Sequence, residues 1–218
     1  DDSVNICGLK RYAVDHSDPI APPLGAEPAG RTVAGRGGGP GGLTAAYYLS
    51  LMGHMVTVYE QRPKLGGMLR YGIPDYRLPQ PVLDRDIDHI LSTGIRVHTG
   101  VSIGKDLTME DIQKSFDAVY ISIGAHADKK LGLEGEDAVN VISAVEFLRN
   151  IGEEKCPDFT GKRVCVVGGG NVSMDATRTA LRLGAESVTC VYRRRVEDMT
   201  ALAEEIEEAL AEGCQILP

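Results

Sequence analysis

The sequence predicts an α/β protein in which one plan, strand then glycine-rich turn then helix then strand, is laid down twice. Three observations carry that reading. The 26 glycines concentrate at residues 35–42 and 168–170. Each cluster stands between a strand-like run and a helix-like run, and the segments that follow alternate between the two periods again. Hydrophobic residues make up 43% and charged residues 25% of the 218, and no apolar run is long enough to span a bilayer, so neither disorder nor a membrane span fits. A net charge of -8 argues against a general binder of phosphate backbones.

In chain order, residues 4–14 pattern as a short amphipathic helix, and Pro19, Pro22, Pro23 and Pro28 mark the rest of 1–30 as a linker or surface arm. A first domain is expected over 31–143: a strand at 32–36, a glycine turn, a helix over 43–52, an alternating strand at 55–59, then loop, helix and strand up to 118–123. A second is expected over 144–218, with a helix at 144–151, an apolar strand at 163–167, another glycine turn and a strand at 187–192. Its turn is followed by a helix that puts Val172, Ala176, Thr179, Ala180 and Leu183 on one face, where small residues allow close packing on a sheet. The last helix, 201–211, should turn Leu202, Ile206 and Leu210 inward and leave Glu204, Glu205, Glu207 and Glu208 as a solvated face. Five cysteines, Cys7, Cys156, Cys165, Cys190 and Cys214, have no metal spacing and no secretory leader beside them, which points to reduced thiols in a cytoplasmic protein. Cys165 and Cys190 lie in apolar strands and are expected to be small buried hydrophobes.

The first turn, GGGPGG, places Gly37, Gly39 and Gly42 directly before a helix. A diphosphate needs backbone N–H groups at close range and the positive end of a helix dipole, and side chains at those positions would block the approach. Glu60 follows at the end of the next strand, where a carboxylate can accept hydrogen bonds from a ribose diol. The second turn, GGGNVS, presents Gly168, Gly170 and Ser173 in the same setting, but its following strand ends on Arg193, Arg194 and Arg195. Arginine there can pair with a 2′-phosphate that a carboxylate would repel, which favours NADP over NAD. One acid-ended and one arginine-ended site suggest two nucleotides sharing one reaction, and flavin with nicotinamide is the economical pairing. Hydride transfer between such rings needs alignment and exclusion of water, so no acid, base or nucleophile is nominated.

On these residues the sequence resembles the family of the glutamate synthase small subunit and the flavin–NADPH portion of dihydropyrimidine dehydrogenase. The resemblance rests on GPGGLTAAYYLSLMGHMVTVYEQRPKLGGMLRYGIPDYRLP (residues 39–79), DAVYISIGA (117–125) and GKRVCVVGGGNVSMDATRTALRLGAESVTCVYRRR (161–195). It implies two Rossmann-like domains, with the second incomplete in this chain. It also implies FAD held by Gly37, Gly39, Pro40, Gly41 and Gly42 at the diphosphate and by Glu60 with Gln61 at the ribose. Gly67, Met68 and Arg77 would lie nearer the flavin, Ile103 on the adenine side, and Gly124 at a second close approach. NADP(H) would meet Gly168, Gly169, Gly170, Asn171 and Val172, with Arg193 and Arg194 on its 2′-phosphate. Relatives of this type pass electrons from flavin to iron–sulfur clusters in a preceding segment or a partner chain, and an iron–sulfur partner is therefore expected. The stretch 65–74, where related disulfide reductases carry a redox pair, has no cysteine, so a dithiol mechanism is not expected.

Three positions depart from the pattern. A central parallel strand is buried on both faces, yet the first strand contains Gly35 and Arg36, and an unpaired arginine there would cost several kcal/mol. Either a partner or a ligand phosphate meets Arg36, or flavin binding is weakened. The latter leaves open a non-catalytic, nucleotide-sensing or structural subunit of a redox complex. Val196 stands where the family usually has a further arginine, which leaves open whether Arg195 takes its place.

Overall fold

A computed structural model describes residues 4–18 and 20–218. Helix α1, Ile6–Asp15, is capped by the Asn5 side chain, which accepts from the Gly8 N–H at 2.8 Å; it therefore starts two residues later than the apolar pattern suggests. Four strands follow, β1 (Thr32–Arg36), β2 (Met55–Glu60), β3 (Arg96–Thr99) and β4 (Ala118–Ile121), all paired in parallel in the order β3-β2-β1-β4. Between them run α2 (Pro40–Leu51), α3 (Met68–Tyr71), α4 (Gln80–Leu91) and α5 (Met109–Ser115). The chain then forms α6 (Ala144–Gly152), β5 (Arg163–Val167), α7 (Asn171–Arg182), β6 (Ser187–Val191), a 3-10 turn at Val196–Asp198, α8 (Ala203–Ala211) and β7 (Gln215–Leu217). These last three strands make a second parallel sheet, β5-β6-β7.

Parallel pairing requires a crossover between neighbours, and α2 and α7 supply the two that matter here. One core forms where Leu43 and Ala46 of α2 meet Val56 and Val58 of β2 and Leu83 and Ile87 of α4. A smaller one joins Ala34, Ile103 and Ile112 across the other face of the first sheet. The core of the second sheet gathers Phe147 and Leu148 of α6, Met174, Ala176 and Ala180 of α7, Val188 and Cys190 of β6, and Ala209 of α8.

Three expectations hold only in part for a common reason, the direction from which each element is covered. The α7 run from Met174 to Ala180 is buried throughout, because α6 and α8 flank this helix as well as the sheet beneath it, whereas Val172 in the first turn is 47% exposed. In α8 the inward positions are Glu205 and Ala209, while Leu202 and Leu210 face outward. Glu205 is drawn in by arginines, so the acidic run is not simply a solvated face. Burial alternates along β5, β6 and β7, so helices cover one face of that sheet: Cys190 points into the core, and Cys165, on the open face, is exposed.

Candidate nucleotide sites at two glycine turns

The first turn joins β1 to α2 through glycines whose missing side chains are a geometric necessity. Gly37 has φ +111°, and a Cβ there would come within 2.3 Å of the Ser122 carbonyl oxygen. A Cβ on Gly42 would stand 1.9 Å from the Gly37 carbonyl oxygen, so α2 can approach the turn only as it does. Helix α2 has Gly39 at its N-cap with no side-chain cap, leaving the first-turn N–H groups without a protein acceptor. Beside this helix end lies a cavity of about 550 Å³, within the range of small-molecule sites.

Around that cavity the fold brings together Gly37, Gly39, Pro40, Gly41, Glu60, Gln61, Gly67, Met68, Ile103 and Gly124. Gly42 lies beneath the turn and lets it close. Glu60 is buried at the end of β2, its two carboxylate oxygens accepting from the N–H groups of Gly38 at 2.7 Å and Arg62 at 2.8 Å, with lone pairs left for a ligand. The loop bearing Gly67 is tied over the turn by the Gly66 N–H donating to the Gly38 carbonyl at 2.8 Å. It is held from below by buried Arg70, which donates to the Leu65 carbonyl and reaches Gln80 and Asp84 on α4. The segment carrying Ile103 is anchored by Val101 N–H donating to the Glu60 carbonyl at 3.0 Å.

Arg36 has a partner: Nη2 donates to the Ile103 carbonyl at 3.0 Å, and the side chain reaches the cavity wall at the strand's end instead of crossing the sheet interior. Gly35 is a neutral neighbour, since a Cβ there would meet Val58 at 3.4 Å. Tyr59, Val101, Ser102, Ser122, Ile123 and His126 also line the cavity, and sequence reasoning missed them. For Tyr59 the alternation of β2 was the available signal; it stacks on His98 with ring centroids 5.1 Å apart. For the others no local pattern announces them.

Arg77 does not join this group. Its guanidinium pairs with Asp175 of α7 and Glu205 of α8.

The second turn repeats the first with another surround. Helix α7 has Gly170 at its N-cap and no side-chain cap. Gly168 has φ +148°, and the Tyr192 ring lies so close over Gly169 that a Cβ would meet it at 2.5 Å. The Asn171 side chain accepts from the Leu202 N–H at 2.9 Å and the Gly169 carbonyl from those of Thr200 and Ala201, so both help hold the 200–202 loop. Val172 is exposed beside them. At the end of β6, Arg193 and Arg194 are exposed and form no ion pair among the described residues, whereas Arg195 pairs with Asp198 at 3.1 Å. Two of the three arginines can meet an anion, and the third is occupied.

Two parallel sheets, each with an uncapped helix springing from a glycine turn, define a dinucleotide-binding α/β architecture. The chain belongs to the pyridine nucleotide-disulphide oxidoreductase family, whose pattern matches residues 37–215. It is 46% identical over 187 residues to the beta subunit of an NADP(+)-dependent formate dehydrogenase of Moorella thermoacetica, covering 85% of this chain and 26% of that protein. It is 44% identical over 230 residues to the beta subunit of an NADPH-Fe(3+) oxidoreductase of Geobacter sulfurreducens, covering 100% and 34%. With the small chain of the NADPH glutamate synthase of Escherichia coli it shares 34% over 226 residues, covering 98% and 48%. The chain thus spans about a quarter to about half of these relatives. Among solved structures, FprA of Mycobacterium tuberculosis in complex with NADPH superposes with a TM-score of 0.72 at 24% identity, over 84% of this chain and 48% of that one. Thioredoxin reductase of Lactococcus lactis does so with 0.61 at 20% identity, over 86% and 64%. These two likenesses establish the fold.

Proposed function

We propose that the chain is the FAD- and NADPH-binding part of an oxidoreductase that passes a hydride between the two cofactors, with onward electron transfer to iron–sulfur clusters or a partner subunit. The observation that carries this reading is the contrast between the two units. The first ends on buried Glu60 beside a cavity of about 550 Å³, and the second ends on two exposed arginines with no acidic partner among the described residues. The cavity suits a nucleotide: Gly37 and Gly42 leave bare a cradle that Cβ atoms would fill, and the α2 N–H groups need an acceptor.

In this reading Gly39, Gly41 and Gly42 present backbone N–H groups to the FAD diphosphate, Glu60 accepts from the ribose with Gln61 beside it, and Ile103 flanks the adenine. Gly67, Met68 and Gly124 form the wall toward the flavin. Gly168, Gly169, Gly170 and Asn171 receive the NADPH diphosphate, Val172 stands beside it, and Arg193 and Arg194 hold the 2′-phosphate. Bound FAD and NADPH supply the redox chemistry, a hydride passing between nicotinamide and flavin rings. The residues bind, orient and exclude water; none needs to move a proton. The relatives named as a subunit or a small chain support a protein that works in an assembly, and a cytoplasmic location and an iron–sulfur partner belong to the same proposal. No helix among the described residues is long and apolar enough to cross a membrane.

The sensing alternative drew on Arg36, which has a carbonyl partner at the cavity wall and so no longer counts against flavin binding. The test is anaerobic addition of NADPH to the natively assembled protein. Bleaching of the flavin's visible absorbance is the expected result, and an unbleached, flavin-loaded protein would favour the sensor. In the same assay Arg194→Gln should raise the NADPH requirement about 10-fold or more, as befits loss of a charged hydrogen bond, with little change for NADH.

A further inference from the structure

The first sheet carries a residue that the packing of its strand does not call for. A central parallel strand is buried on both faces and takes apolar side chains, yet β1 ends on Arg36. Its partners in register are Tyr59 of β2 and Ile121 of β4, and Tyr59 in turn is paired with His98 of β3. Residues in register on neighbouring parallel strands point to the same face, so Arg36, Tyr59 and His98 form one row at the end of the sheet. The Tyr59 ring is held in that row, stacked on His98 at an interplanar angle of 17° and met edge-on by Phe116 at 6.2 Å between centroids. Arg36 and Tyr59 both line the first cavity.

The half-buried Arg36 guanidinium is tied at one corner only. Nη2 donates to the Ile103 carbonyl at 3.0 Å, and the side chain forms no ion pair among the described residues. Among those residues Arg36 is the one lysine or arginine on the cavity lining, and Glu60, the one carboxylate there, is turned to the N–H groups of Gly38 and Arg62 instead. A guanidinium is a flat fork of N–H donors, which suits an anion at its edge or an aromatic ring on its face. The tie to Ile103 decides between the two. It occupies the edge and sets the plane beside the segment that, in the reading above, flanks the adenine, whereas the uncapped N–H groups of α2 receive the diphosphate.

We propose that Arg36 is an adenine-binding residue of the first site: its guanidinium lies face to face with the adenine ring of FAD and holds that ring against the Ile103 segment. The proposal rests on the reading of the first cavity as the FAD site. A cation over an aromatic face is attracted to the ring's π cloud, and a contact of this kind is worth about 3-fold to 30-fold in affinity. The adenine takes no part in hydride transfer, so Arg36 acts on retention of the cofactor and leaves the chemical step alone.

The test uses the full-length protein with its native subunits and compares wild type with Arg36→Met and Arg36→Lys. Methionine keeps the length without charge or plane; lysine keeps the charge and a donor for the Ile103 carbonyl without the plane. The FAD dissociation constant is measured by ultrafiltration, and the rate of flavin reduction at saturating FAD and NADPH is measured anaerobically. Arg36→Met should raise the constant about 3-fold to 30-fold, Arg36→Lys should leave it at least about 3-fold above wild type, and both should keep the saturated rate within about 2-fold. An unchanged constant in Arg36→Met overturns the proposal. Full recovery in Arg36→Lys does so too, since the tie to Ile103 would then be the whole contribution, and so does a saturated rate that falls with the affinity, which would place the effect at the flavin ring. Should Arg36→Met not fold, Arg36→Gln carries the same expectation. In the structure of the FAD-loaded wild type, the guanidinium carbon should lie within about 6 Å of an adenine ring centroid, and a guanidinium on the diphosphate oxygens would refute the assignment. If wild type retains no FAD, the reading of the cavity itself has failed; a flavin-loaded wild type with any of the contrary outcomes removes the role of Arg36 alone.

Discussion

Gly41 and Gly42 are neighbours in the same turn, and the structure gives them opposite tolerances. A Cβ on Gly41 meets nothing within 4 Å, whereas one on Gly42 would lie 1.9 Å from the Gly37 carbonyl oxygen. Gly41→Ala should therefore fold with a melting temperature close to wild type. Gly42→Ala should lose about 1–3 kcal/mol of stability, as overpacked sites do, together with most of its flavin. Thermal melts and the flavin-to-protein absorbance ratio report both outcomes. These glycines were legible from sequence because the constraint on them is local: strand, turn and helix are contiguous, and their spacing fixes which position meets which carbonyl. Arg36 and Arg77 were not, since what each touches is distant in the chain. Arg36 reads as a defect in a strand until Ile103 is folded against it, and nothing near Arg77 in the sequence announces its pairing with the carboxylates of Asp175 and Glu205.

Helix α8 illustrates how a pattern can be read correctly as helix and wrongly as face. Leucine and isoleucine spacing suggested one inward stripe, but Arg178 of α7 pairs with Glu205, Glu208 and Glu212, and of the stripe only Ile206 packs against the core while Leu202 and Leu210 face outward. A consequence is a pH-dependent tie between α7 and α8. The hydrogen bond from Arg182, with Arg178 beside it, holds the Glu212 carboxyl below its ordinary value of 4.5. A carboxylate with a depressed folded-state value contributes stability fully above its unfolded value and loses it as pH falls through the folded one. Glu212→Gln should cost about 2 kcal/mol at neutral pH, and its deficit should shrink below about pH 4.5 as wild type loses the same interaction. Buried Asp175 is shifted the other way, but it is common to both proteins and cancels in the comparison. The same reasoning about faces applies to the cysteines. Cys7, Cys156 and Cys165 are exposed, while burial holds the Cys190 and Cys214 thiols up and out of reach. Alkylation of the native protein followed by mass spectrometry should mark the first three and reach the other two only after unfolding.

At the scale of the whole molecule, the alternation of strands and helices foretold two parallel sheets, but not how they are joined, because the ion pairs that join them link residues 90 or more positions apart. Besides the Arg77 network there is a second seam, where the end of α6 lies against α3. Arg62 and Lys64 pair there with Glu153 and Glu154. Between them Gly152 comes so near that a Cβ would stand 2.5 Å from the Arg70 carbonyl oxygen and 2.8 Å from the Tyr71 Cα. This is an approach of backbone to backbone, so no rotamer change can relieve a side chain placed at 152, and α6 as a body would have to move away from α3. Gly152→Val should then leave both cores folded, with an unchanged far-ultraviolet spectrum, while the seam opens and the two ion pairs weaken. Two readouts would register that: a larger radius of gyration in solution scattering, and a saturated flavin reduction rate at least about 10-fold lower with FAD still bound. An undiminished rate in a visibly opened variant would mean that this seam does not set the register of the two sites.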